Sequence, residues 1–177
     1  MIPTLETQRL RLRAFTLADA PHVQRIAGVA AVADPTLVIP HPYLDGMAEA
    51  WIATHEERFV AGESVTFAIT DQRDDSLIGA IALDSMKAGH QAELGYWIGE
   101  PYWGRGYCTE AAEAVLRHAF SLDLVRVHAA ALTSNPASGR VLQKIGMRHE
   151  GRRLKHASNR RRHEDIELYG ILREDMK

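Results

Sequence analysis

The sequence predicts a mixed α/β fold in which helices flank one central sheet. Three observations carry this. RLRLRAF (9–15) alternates apolar and charged residues, the period of a half-buried strand. SVTFAITD (64–71), SLIGAIALD (76–84) and LVRVHAAAL (124–132) are apolar runs of strand length. Segments with helical spacing lie between them, the longest directly after YWGRGY (102–107). One domain over residues 1–177 is expected, long enough to bury a core.

In chain order, Thr16 and Asp19 after the first strand have the spacing of a capping box. Ala20, Val23, Ile26, Ala27 and Ala30 then mark one helix face. In DPTLVIPHPYLDG (34–46), Pro35, Pro40 and Pro42 block regular helix, and irregular loops of this length tend to be functional. Asp45 is placed to cap a second helix with Ala48, Trp51, Ile52, His55 and Phe59 on one stripe, ended by Gly62. The next two strands join through the turn QRDD, and AELGYWIG (92–99) is a third. LVRVHAAAL is apolar enough for burial on both faces. In SNPASGRVLQKIG (134–146), Asn135 caps a short helix, Pro136 takes its first turn and Gly146 stops it. MRHEGRRLKHA (147–157) and HEDIELYGIL (163–172) form a last strand pair.

Composition narrows the function. Hydrophobic residues are 46% and charged residues 25%, the balance of a soluble protein. A net charge of −2 gives no global attraction to nucleic acid or membrane. No run approaches the ~20 apolar residues of a membrane helix. The N-terminal stretch sets an arginine between leucines where a signal peptide needs an apolar run. Cys108 has no partner for an internal disulfide, which suits a reducing cytoplasm. The nine histidines never fall three to five apart, so no helical metal pair is indicated.

The pattern W-G-R-G-Y (103–107) carries the chemistry. Glycine lets backbone N–H groups approach a ligand, and a helix that begins at once offers unpaired donors and a positive dipole end. Gly104, Arg105, Gly106, Tyr107, Cys108 and Thr109 therefore form a candidate pyrophosphate site. A tight turn would explain the same glycines. Neither a dinucleotide fingerprint nor a G-K-[ST] triphosphate loop is present.

Taken in order, LETQRLRLRAFTLADA, IPHPYLDGMAEAWI, ELGYWIGEPYWGRGYCTEA, SNPASGRVLQKIGM and EDIELYGIL make the chain resemble the GNAT acetyltransferases. Among these it is similar to the ribosomal-protein N-terminal acetyltransferases of the RimJ and RimL type. The resemblance implies a mostly antiparallel sheet with one splayed pair of strands, and acetyl-coenzyme A as donor. It implies that the backbone of Tyr96, Trp97 and Ile98 pairs with the pantetheine arm like an added strand, and that Asn135 touches the arm. In the family loop Gln/Arg-x-x-Gly-x-Gly/Ala, Trp103 and Cys108 take the first and last places here.

The expected reaction is attack of a primary amine on the thioester. It needs a neutral amine, a polarised carbonyl and a proton for the leaving thiolate. The tyrosine that supplies this proton in many relatives is replaced by Leu142. The RimL-like enzymes share a serine at Ser138, which becomes the candidate donor; an extra cap in the first helical turn would also explain it. The acid that RimJ and RimL enzymes carry near the last hairpin turn is absent from KHASNRRRH. Glu93 is then the candidate base, matching a position used in other branches, with His156 ranked behind it. Cys108 is read as packing rather than as a nucleophile.

RRLKHASNRRRH (152–163) carries six Lys/Arg and no acid. It reads as a solvated hairpin turn, with a docking patch for an acidic protein or RNA, or a homodimer contact, as alternatives. The expected acceptor is a protein N-terminal α-amino group. Small amines, and a coenzyme-binding regulatory module without turnover, are the rival readings.

Overall fold

The computed structural model describes residues 1–36, 38–159 and 162–176, without the side chains of Asn159 and Arg162. Its strands are β1 (Leu5–Glu6), β2 (Leu10–Arg13), β3 (Val65–Asp71), β4 (Leu77–Lys87), β5 (Gln91–Ile98), β6 (Arg126–Leu132), β7 (Arg148–Asn159) and β8 (Arg162–Leu172). They lie in one sheet ordered β1-β2-β3-β4-β5-β6-β8-β7. The helices are α1 (Ala20–Ala27), α2 (Ala30–Ala33), α3 (Met47–Ala53), α4 (His55–Val60), α5 (Tyr107–Ser121) and α6 (Pro136–Lys144). This is the expected mixed α/β arrangement.

Two apolar layers sandwich the sheet. On one face α5 and α6 bury Ala112, Val115, Leu116 and Leu142 against Phe67, Ile81, Leu94 and Val127. On the other, α1 and α3 bury Val23, Ile26 and Ile52 against Phe15, Ala68 and Ala80. Every residue of β3 is buried because both layers cover it. The second layer stops short of β6, where Arg126 and His128 are half-buried and Ala130 is exposed. The expectation that β6 is buried on both faces is therefore corrected.

The strand pairing makes the opening that matters. All neighbouring strands are antiparallel except β5 and β6. That parallel pair keeps register only over Gln91–Glu93 with Arg126–His128. Beyond it, β5 stays paired with β4 out to Ile98, and β6 with β8 out to Leu132. The two strands diverge into a V whose apex is Glu93 and His128.

Some local expectations change. The Asp19 carboxylate accepts from the Thr16 N–H at 2.8 Å, and Arg13 clamps the same carboxylate at 2.9 Å. The helix face, however, stops at Ala27. Val29 is extended, and Ala30 is exposed at the start of α2. Asp45 does not cap α3: its carboxylate accepts from Gln24 Nε2 at 2.8 Å, and Gly46, at φ 83°, is the N-cap. The second helix is divided at Thr54, whose hydroxyl donates to the Trp51 carbonyl at 2.8 Å and competes with the helical ladder. The basic run is not a turn through most of its length, since residues 152–159 continue β7. Arg160 and Arg161 lie outside the described residues.

Candidate active site

The candidate residues lie on β5, on the loop that follows it, and on α6 and β7. Along β5, Leu94, Tyr96 and Ile98 face α5 and α6, while Glu93, Gly95 and Trp97 face the other side. Gly99 and two turns then deliver the chain to the glycine loop. Gly104 (φ 72°) and Gly106 (φ 78°) both take the left-handed conformation that favours glycine. A side chain at Gly104 would meet nothing within 4 Å, so that side of the loop is open space. Gly106 caps α5, which places the N–H groups of Tyr107, Cys108 and Thr109 in the first helical turn, where they lack intrahelical acceptors. This donor set suits a pyrophosphate.

Ser138 sits in the first turn of α6, where Asn135 Oδ1 accepts from its N–H at 3.3 Å. Asn135 Nδ2 reaches the Pro35 carbonyl at 3.4 Å, so the cap also holds the proline-rich loop. Next to it, Gly139 lets α6 settle on β8: a Cβ there would come within 2.8 Å of the Tyr169 hydroxyl. Ser138 Oγ lies 2.9 Å from the hydroxyl of Tyr96, which also donates to the Ser138 carbonyl at 3.1 Å. The contact spans the opening from β5 to α6. Burial, reinforced by nearby Cys108, pushes the Tyr96 phenol well above its ordinary pKa, so it stays protonated. Leu142 is 1% exposed, part of the core.

The loop and the strand edge differ in detail from expectation. Trp103 Nε1 donates to the Ile98 carbonyl at 2.7 Å, which removes that acceptor from the edge open to an arm. Burial pushes the Cys108 thiol up to about 12, so no thiolate nucleophile forms near neutral pH.

At the apex, Glu93 is half-buried and in register with His128 on the face away from α5 and α6. Burial lowers the His128 pKa and the Glu93 carboxylate opposes that pull. The pairing of His128 with Glu93 was not legible in the sequence, because it is a long-range register. His156 lies on β7, with Nε2 at 3.5 Å from Arg153 Nη1. A further carboxylate, Glu164, pairs across from Ala157 and accepts a hydrogen bond from the Ser134 hydroxyl. It stands one residue past the acid-free run. A cleft of about 560 Å³ along the outer flank of α6 touches Asn135 and Tyr169 but not Ser138. Its polar wall is Glu167 bonded to His149 (2.6 Å) and Arg152 (2.8 Å). Among the described residues no three His, Cys, Asp or Glu side chains group to hold a metal, and no helix is long and apolar enough to cross a membrane.

Comparison with known proteins agrees with this fold. Residues 9–148 match the family described as acetyltransferase (GNAT) domain. The chain is 31% identical over 162 residues to an uncharacterized N-acetyltransferase, YoaA, of Bacillus subtilis, covering 85% of this chain and 86% of that one. It is 33% identical over 81 residues to the ribosomal-protein-serine acetyltransferase of Escherichia coli, 45% of each chain. A solved RimL ribosomal alpha-N-protein acetyltransferase in complex with coenzyme A superposes with a TM-score of 0.87. The identity is 18%, with 96% of this chain and 98% of that one covered.

Proposed function

The chain belongs to the GNAT acetyltransferase family and is an acetyl-coenzyme A-dependent N-acetyltransferase; on that premise we propose that its acceptor is a protein N-terminal α-amino group, modified in the cytoplasm. The contact between Tyr96 and Ser138 across the opening carries the catalytic part of this reading. Acetyl-coenzyme A supplies an activated thioester. The loop 104–109 holds its pyrophosphate, and the free edge at Tyr96 and Trp97, with Asn135, orients its arm. Glu93 accepts the proton that the acceptor amine must lose, directly or through water, and the neutral amine attacks the thioester carbon. As the new C–N bond forms and the C–S bond breaks, Ser138 donates a proton to the departing sulfur and recovers one from solvent. Tyr96 fixes the Ser138 hydroxyl while that happens.

The α-amino acceptor is supported by two points. Such a group has a pKa near ~8, so a fraction is already neutral and a modest base suffices. A polycation site would need clustered acids, yet the loop 31–47 has only Asp34 and Asp45, and Asp45 is engaged by Gln24. The test is mass-spectrometric mapping of acetyl groups on a peptide panel in which the α-amine is free or blocked. Acetylation confined to free α-amines supports the assignment. Labelling of lysine side chains alone would refute it.

A further inference from the structure

We propose that Arg9 is a positioning residue for the coenzyme's pyrophosphate: it fixes the glycine loop at the head of α5 and neutralises the carboxylate of Glu110 beside it. This rests on the reading of residues 104–109 as the anion site.

Arg9 lies just before β2, about a hundred residues from the loop in sequence, yet it is bound to the loop and its helix by nearly every polar atom it has. Its Nε donates to Glu110 Oε2 at 2.7 Å, Nη2 is 2.7 Å from the same oxygen, and its backbone N–H donates to Glu110 Oε1 at 2.8 Å. Thr7 Oγ1 donates to Glu110 Oε1 at 2.7 Å. Nη1 donates to the Arg105 carbonyl at 2.9 Å, and the guanidinium lies over the Tyr107 ring, 4.6 Å from its centroid.

Two consequences follow from elementary geometry and charge. The C=O of Arg105 and the N–H of Gly106 belong to one planar peptide, and in a trans peptide they point in opposite directions. Arg9 draws the carbonyl to itself, so the Gly106 N–H is aimed the other way, away from Arg9. The left-handed conformation of Gly106 is held by the same bond. Charge is the second consequence. Glu110 stands in the first turn of α5, where an unneutralised carboxylate would repel a pyrophosphate. Burial alone would raise its pKa, but the hydrogen bonds from Thr7 and Arg9 outweigh that and keep it ionised. The arginine cancels the charge through Nε and Nη2, both on one carboxylate oxygen. Lysine would supply charge but neither the fork nor the ring stack.

The experiment measures affinity of the full chain for coenzyme A and for pantetheine, the same arm without the phosphates. Arg9→Ala is expected to weaken coenzyme A roughly ten- to hundred-fold, the scale of a lost charge-assisted bond, and to leave pantetheine unchanged. Arg9→Lys should recover part of the loss. Arg9→Ala combined with Glu110→Gln should also recover part, because the stranded carboxylate is gone. Unaltered coenzyme A affinity in Arg9→Ala, or equal losses for both ligands, overturns the proposal. If Arg9→Ala does not fold, Arg9→Lys decides alone: no selective loss for coenzyme A overturns it. A wild-type chain that binds pantetheine as tightly as coenzyme A instead removes the anion site itself, and the proposal with it.

Discussion

Ser138 and Tyr96 are 42 residues apart in sequence and meet only through the tertiary fold, where α6 comes up against β5. Ser138→Ala should lower kcat about ten- to hundred-fold, within the range of general acid catalysis, while coenzyme binding stays nearly unchanged. Tyr96→Phe should lower kcat by a smaller factor, about ten-fold, since the serine remains but its hydroxyl is no longer held. Steady-state kinetics checks both, and full activity in Ser138→Ala removes the donor role. Ser138 could be found from its place in SNPASG. The side chain of Tyr96 could not, because nothing in GYWI marks a hydroxyl that lands on a distant helix. His55 is a second residue-scale case. It is 5% exposed among Phe15 and Trp51, and neither ring nitrogen has a hydrogen-bond partner. Burial lowers its pKa from 6.5 to about 4. The unfolded chain therefore binds this proton first as pH falls. Its contribution is intact above pH 6.5, is lost between about 6.5 and 4, and levels off below, a change on the order of 3 kcal/mol. His118 and His128, also lowered by burial, push in the same direction. His55→Leu should raise the melting temperature near pH 5 and flatten the acid limb; thermal melts from pH 4 to 8 would show an unchanged limb if burial of His55 were not responsible.

At the scale of elements, the glycines with positive φ are the sensitive points. Gly106→Val strains a left-handed cap and should weaken coenzyme binding about five- to thirty-fold, the equivalent of roughly 1–2 kcal/mol of backbone strain; unchanged affinity in a binding titration would make the loop only a turn. Gly79 is sensitive for a different reason. A Cβ there would come within 2.2 Å of the Trp97 carbonyl, so Gly79→Ala must push β4 from β5. A loss of about 1–3 kcal/mol is expected in denaturant melts. Strand periods and the α6 cap were legible because they depend on neighbours in sequence. The α3 cap and the end of α1 were not. Asp45 is turned toward Gln24 and the proline-rich loop packs on Gly28, and both are tertiary contacts that override local preference.

At the scale of the molecule, the alternation of strands and helices was enough to read a mixed α/β sheet. Two features of that sheet were beyond local reading: β8 inserts between β6 and β7, and β5 parts from β6 after three paired residues. The splay was anticipated through the motifs shared with the GNAT family, not through periodicity. Beyond the apex at Glu93 and His128, Tyr96 of β5 meets Ser138 of α6. The acceptor is shaped by loops with no periodic signature, so composition alone did not specify it. The most direct measurement is acetyl-coenzyme A-dependent release of free thiol against peptides with varied N-termini, polyamines, amino acids and aminoglycosides. Release with peptides that carry a free α-amine, and not with the small amines, is the predicted result. Release with a small amine alone would contradict the assignment of a protein N-terminus.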